Sequence, residues 1–229
     1  MKTRLNSIFF ESGTSVFQDE YFELLITRLT NSSMSLETDL GDPNLHKNAI
    51  RLRDNMKAFK MLITMLNKEL TEDDVIVIAN TINESSQFIS NGYRKSGKFI
   101  ADTNIPISTP ENIQRDMLQL LDNYHHNWKE LEPFEREAKF HIDFIRIHPF
   151  EDGNGRTARL LLNYNLLKQG IAPVIITNDL REYYESYIKN KDVDALTNLL
   201  KIQSIKESEI INYLISEYNQ DNTKTFRKL

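Results

Sequence analysis

His148-Pro149-Phe150-Glu151-Asp152-Gly153-Asn154-Gly155-Arg156-Thr157-Ala158-Arg159 is the stretch around which the chain is organised. A titratable imidazole, two acids, two glycines around an amide and two arginines three apart are a mixture that neither a core nor a solvated surface requires. Gly-Asn-Gly ahead of a helical run offers a turn whose backbone N–H groups converge on an anion, with the positive end of the helix dipole just behind it. Arg156 and Arg159 fall on one face of that helix and bring two guanidinium forks to the same spot. Acids beside an anion seat repel the ligand unless a divalent cation lies between them, so Asp152 or Glu151 implies magnesium. His148 is the only base of the segment that titrates near neutral pH.

Working outward, Arg156 to Lys168 is apolar nearly all round (Leu160, Leu161, Leu162, Leu166, Leu167) and is expected as a central helix with Gly170 as its C-cap. Before the motif, Glu135 to Ile147 reads as a helix, although its Phe and Ile content suits a buried strand as well; Pro149 ends it either way. Further upstream, Ser15 to Leu29 repeats apolar residues at helical spacing, with Thr14 or Ser15 as cap. The polar stretch Thr30 to Asp39 then predicts that any helix near Ser33 to Glu37 is short. A long amphipathic segment spans Asn48 to Leu70, and Thr71-Glu72-Asp73-Asp74 starts a helix through Val75 to Ser85. Lys98 to Ile107 has short apolar arms around Asp102-Thr103-Asn104 and is the one candidate β-hairpin, with Pro106 confining its second arm to an edge. A helix starts at Thr109-Pro110-Glu111 and runs to about Trp128, with His125 and His126 as polar residues rather than ligands. Residues 179–190, 192–202 and 205–218 read as three more helices, and Asn219 to Leu229 as a polar, frayed tail.

The length of 229 residues suits one compact unit with a sizeable core. A hydrophobic share of 40% and a charged share of 27%, with few Gly and Pro, describe an ordinary helix-rich globular chain. The net charge of −5 argues against a broad nucleic-acid footprint but leaves room for a local phosphate pocket. The absence of cysteine rules out disulfides and thiolate chemistry. No apolar run approaches the roughly 20 residues of a membrane span, and Met1 to Arg4 leads into no apolar signal-peptide region, so a cytoplasmic location without membrane association is expected.

Two phosphate-binding patterns compete for the glycines. Gly153-x-Gly155-x-x-Ala158 with Asp179 downstream formally meets the relaxed dinucleotide fingerprint. That fingerprint needs an apolar strand running into its first glycine and several βαβ units; here five other residues intervene and the chain downstream is nearly all helix. A Walker-type Gly-x-x-x-x-Gly-Lys-Ser/Thr loop is absent.

His148 to Arg159 resembles the His-x-Phe-x-(Asp/Glu)-Gly-Asn-Gly-Arg-x-x-Arg signature of the Fic (Fido) family of protein AMP-transferases, with agreement at all eight defined positions. The flanks, Gly92-Tyr93-Arg94, Pro173 to Ile176 and Tyr183-Tyr184, resemble it too. The likeness implies an all-α bundle with a small β-hairpin flap, divided here into an N-terminal helical region 1–69, a Fic core 70–205 and a C-terminal helix and tail 206–229. It implies transfer of AMP from ATP to a Ser, Thr or Tyr hydroxyl of a target protein. By the same resemblance His148 is the general base and Phe150 anchors the loop. Asp152 holds magnesium, and Asn154 with the Gly153 and Gly155 amides cradles the α-phosphate. Arg156 and Arg159 take the β- and γ-phosphates. The flap, Ile100, Ala101, Asp102 and Thr103, would pin the target segment by strand addition. Tyr183, Tyr184 and Asn190 would line the adenine side.

Many members of that family carry an inhibitory Ser/Thr-x-x-x-Glu-Gly/Asn helix whose glutamate pairs with the second motif arginine. Ser33 to Glu37, within a segment of about 30–40, fits the first five positions, but Thr38 stands where Gly or Asn is usual. The expectation is therefore inhibition through a Glu37–Arg159 pair. Alternatives are removal of AMP at the same site, or a nucleotide-responsive protein-binding module with little turnover. Self-modification and a homo-oligomer stay open.

Overall fold

The computed structural model of the chain describes residues 16–36, 45–66, 68–86, 92–97 and 105–226. All regular structure among them is helical. The elements are α1 (Val16–Ser35), α2 (Leu45–Thr64), α3 (Glu72–Ile82), α4 (Ile113–Asp122), α5 (Pro133–Ile147), α6 (Asn154–Lys168), α7 (Arg181–Asn190) and α8 (Val193–Phe226).

Local chemistry sets the helix ends. Thr71 caps α3 through a reciprocal capping box with Asp74, as the Thr-Glu-Asp-Asp pattern predicts. At the other end of the motif helix, Gly170 has φ 67, its N–H bonds to Leu167 O at 2.9 Å, and the Ile171 N–H bonds to Leu166 O at 2.9 Å. That is a Schellman turn, with Gly170 one position beyond the C-cap Gln169. The Glu135–Ile147 ambiguity resolves to helix. Pro133 supplies the first turn, and the Glu132 carboxylate accepts the Phe134 and Glu135 N–H groups.

Three expectations need correction. The polar run after Leu29 does not end α1, which continues to Ser35. The hydroxyls find partners that leave the helix intact: Thr30 donates to Ile26 O, Ser32 to Ile176 O and Ser35 to Ser32 O. Residues 192–202 and 205–218 are parts of one helix, α8, which runs on through most of the supposed tail to Phe226. Gln203 and Ser204 looked like a break but are buried, and Ser204 donates to Ala172 O at 2.7 Å. The helix expected up to Trp128 is a 3-10 turn, α4 and then a π-turn over Asn123–Asn127. Most of the predicted hairpin, residues 98–104, lies outside the described residues; Ile105 to Ile107 has no strand pairing among them.

Helix α6 is the axis of the bundle. It touches α1, α2, α3 and α5, and its residues from Leu160 to Leu162 and at Leu166 and Leu167 are each at most 5% exposed. Helix α5 lies between α6 and α8. Helix α1 is held at its middle by Glu207 of α8, a 1% exposed carboxylate that accepts from Arg28 at 2.7 Å and from the Tyr21 hydroxyl at 3.1 Å.

A second buried acid, Glu137 of α5, accepts from the Tyr124 hydroxyl at 2.5 Å and from Asn165 Nδ2 of α6 at 2.9 Å. Burial pushes its carboxyl up to about 7, against the bonds from Tyr124 and Asn165 and the charge of Arg136. The folded pKa is raised above the unfolded one, so the contribution is present at low pH and is lost as pH rises from about 4.5 through 7. Urea unfolding at pH 5 and pH 7 should therefore show the wild type losing stability relative to Glu137→Gln, on the order of 1–3 kcal/mol. A constant difference between the two proteins at both pH values would refute the assignment.

Candidate active site

The site is the turn between α5 and α6. Helix α5 ends at Ile147 because Pro149 disfavours right-handed helical backbone at His148. His148 instead takes left-handed φ 51, ψ 57, and its N–H makes the last helical bond, to Phe144 O at 3.0 Å. Its carbonyl accepts from Arg94 Nε at 2.7 Å, and Pro149 O accepts the Arg94 main-chain N–H at 2.9 Å. Phe150 is 2% exposed, with its ring 5.7 Å from that of Tyr93 and 6.3 Å from that of Phe144. The loop is thus pinned on one side by a buried aromatic ring and on the other by a buried arginine.

Asn154 closes the turn. Its Oδ1 accepts the Phe150 N–H at 2.9 Å while its Nδ2 donates to Phe150 O at 2.8 Å, so the carboxamide expected to cradle a phosphate serves here as a two-way clamp. Gly153 has φ 76, which favours glycine, and a Cβ there would come within 2.9 Å of the Asn83 carboxamide and push it from its bonds to Asp152 O and Arg156. Asn83 in turn donates to Asp152 O at 2.8 Å. The Thr157 hydroxyl and N–H both bond to Gly153 O, at 2.8 and 2.9 Å, starting α6 directly behind the glycines.

The charged groups surround this turn. Asp152 Oδ1 accepts the Gly153 N–H at 2.7 Å, and Oδ2 lies 3.5 Å from Arg51 and 3.4 Å from Arg156. Arg156 is 1% exposed and donates to Ile82 O at 3.2 Å and Asn83 Oδ1 at 3.1 Å, which fixes the direction of its guanidinium. Arg159, 8% exposed, donates from Nε to Ser33 Oγ at 2.8 Å and from a terminal nitrogen to Ser33 O at 2.9 Å. Helix α1 therefore touches the second motif arginine directly. Glu151 accepts from Ser96 Oγ at 3.0 Å.

His148, Asp152, Gly153, Asn154, Gly155, Arg156, Arg159 and Ser33 come together here. Tyr184 is buried, with its hydroxyl 2.6 Å from His141 Nε2. Tyr183 is 60% exposed, and Asn190, exposed at the end of α7, donates to Ser186 Oγ at 3.3 Å. Glu37 and Ile100 to Thr103 lie outside the described residues. Three residues near the site carry no local signal in the sequence: Arg51 of α2, Asn83 at the C-cap of α3, and His141. The last is fully buried, its pKa pulled down to about 3 by burial and then by the Arg159 charge, so it is a neutral hydrogen-bonding partner for Tyr184 rather than a second neutral-pH base.

Residues 69–166, which contain every motif residue from His148 to Arg159, match the Fic/DOC family. The chain is 29% identical over 228 residues to a protein named protein adenylyltransferase Fic from Nematostella vectensis, covering 94% of this chain. It is 31% identical over 127 residues to protein adenylyltransferase fic-1 of Caenorhabditis elegans, covering 55% of this chain. It spans only 51% of the length of the first relative and 25% of the second. Among solved structures, a Fic domain containing signaling protein of Bacteroides thetaiotaomicron superposes with a TM-score of 0.73 at 21% identity, covering 90% of this chain and 93% of that one, which is a likeness of fold. Residues 69–166, which hold the His148–Arg159 turn, thus match the Fic/DOC family, and the bundle that carries them has the fold of the solved Fic domain protein.

Proposed function

We propose that the chain is a protein adenylyltransferase that moves AMP from ATP to a Ser, Thr or Tyr hydroxyl of a target protein. One observation carries the reading: a histidine in left-handed backbone stands directly before an anion-seating turn flanked by two buried arginines. The relatives' names support it.

In this reading His148 removes the proton from the attacking hydroxyl, whose oxygen bonds to the α-phosphorus as the bond to pyrophosphate breaks. The N–H groups at the start of α6 face the α-phosphate. With the Asn154 side chain engaged on Phe150, its share in this falls to its backbone. Arg156 and Arg159 meet the β- and γ-phosphates, where charge accumulates on the leaving group. Asp152, whose carboxylate lies in the turn 3.4 Å from Arg156 and 3.5 Å from Arg51, would hold the magnesium ion. When bound, magnesium would neutralise phosphate charge. A cytoplasmic site of action belongs to the same reading; no described helix is long and apolar enough to cross a membrane.

The Ser33 contact supports control from α1. An arginine already bonded twice to Ser33 is not available to a γ-phosphate in the same arrangement. Glu37, one turn further on in sequence, pairs with Arg159 in this proposal and completes the block, with Thr38 as the departure from the family pattern.

His148→Ala should retain ATP binding and lose transfer by at least about 100-fold, read as AMP-bearing proteins by intact mass spectrometry of a treated lysate. Undiminished transfer would remove His148 from the chemistry. Glu37→Gly should raise transfer by about 5- to 150-fold, and Ser33→Ala by less, because the Ser33 carbonyl bond remains. Rates equal to wild type in both variants would end the inhibitory role. Loss of AMP from a pre-modified target by the wild type, and not by Glu37→Gly, would assign the reverse reaction instead.

A further inference from the structure

Arg94 is among the largest fully buried side chains, 2% exposed, yet what it binds is backbone. Its Nε donates to His148 O at 2.7 Å, one terminal nitrogen donates to Ser96 O at 2.8 Å, and the other donates to Ser108 O. The main-chain N–H adds Pro149 O at 2.9 Å. Burial lowers its pKa, with Glu151 and Glu111 opposing as counter-charges. A charge withdrawn from water costs more than an apolar side chain of the same volume, so filling space does not account for it. What a guanidinium alone provides is a planar fork of five donors able to hold three acceptors in fixed relative positions.

Those three acceptors are not equivalent. One is the carbonyl of the residue that carries the imidazole, in a left-handed conformation that costs a non-glycine residue energy. The other two, Ser96 and Ser108, flank in sequence Lys98 to Ile107, the stretch expected from sequence to be a hairpin whose flap, Ile100 to Thr103, meets the acceptor and most of which lies outside the described residues. Both serines have second anchors. Ser96 Oγ donates to Glu151, and Ser108 gives its N–H to Arg146 O at 3.3 Å and its hydroxyl to Asp116 at 2.7 Å.

We propose that Arg94 is a positioning residue that holds Ser96 and Ser108, the points flanking the stretch expected to meet the acceptor, in one register with the His148 backbone, so that the incoming hydroxyl and its base arrive together. This rests on the adenylyl-transfer reading. It assigns Arg94 to the acceptor side of the reaction, separate from the nucleotide side held by Asp152, Arg156 and Arg159.

The test compares wild type with Arg94→Lys, which keeps the charge and loses the fork. The expected result is a kcat for transfer lowered by about 10- to 100-fold and a raised KM for the protein acceptor. ATP affinity, measured by titration calorimetry below the variant's melting transition, should stay within about twofold. A fall in ATP affinity parallel to kcat, or wild-type kinetics, overturns the proposal. Hydrogen–deuterium exchange gives a readout that needs no turnover: exchange at 92–97, 105–109 and 147–151 should rise together in Arg94→Lys. A rise in only one of the three, or in none, overturns it, even if the wild type proves to transfer no AMP. Should Arg94→Lys not fold, Arg94→Met, which removes the buried charge altogether, carries the same measurements.

Discussion

The site depends on a single side chain folding back on its own loop. Asn154 both accepts from and donates to the backbone of Phe150, closing the five-residue turn from Phe150 to Asn154 as a covalent bridge would, but at the scale of two buried hydrogen bonds. Leaving either backbone group unsatisfied would cost about 1–3 kcal/mol. With the turn closed, Gly153 stands so close to Asn83 that a Cβ would displace its carboxamide, α6 begins directly behind it, and the carboxylate of Asp152 points between Arg51 and Arg156. The closed turn would have little to reorganise when a phosphate arrives, the condition under which fixed N–H groups stabilise developing charge most, whereas Arg159 would first have to leave Ser33.

The rest of the bundle holds that turn from outside. Arg94 fixes the His148 end, α3 fixes the glycine end through Ile82 and Asn83, and α1 reaches Arg159 through Ser33. Helix α1 is itself no loose arm. Ser32 bonds to Ile176 O, and Tyr21 and Arg28 share Glu207 of α8. The control proposed for α1 would therefore act by local exchange at its C-terminal turn, where Ser33 and Arg159 meet, rather than by departure of the whole helix.

The motif and its setting were legible because phosphate chemistry demands residue types in a strict local order. Capping signals at Thr71 and Gly170 and the apolar girth of α6 were legible for the same reason: each is a short-range pattern with one physical solution. What escaped was non-local. Nothing near Asn83 or Arg51 in the sequence hints at the turn they serve, because only packing brings α3 and α2 to it, and nothing near His141 names Tyr184 as its partner. Thr30, Ser32 and Ser33 read as a helix end but are satisfied by Ile26, Ile176 and Arg159, and Gln203-Ser204 read as a break although Ser204 is a buried anchor. Polar residues signal a terminus only when their partners are solvent, and sequence alone does not name the partner.

The most direct measurement follows two labels. ATP carrying radiolabel at the α-phosphate and ATP carrying it at the γ-phosphate are incubated separately with the Glu37→Gly protein, magnesium and a cell lysate, and protein-bound label is counted. Seating of the α-phosphate at the Gly153–Gly155 turn with pyrophosphate leaving predicts label on protein from the α-position and none from the γ-position. Label from the γ-position, or from neither, would contradict adenylyl transfer at this site.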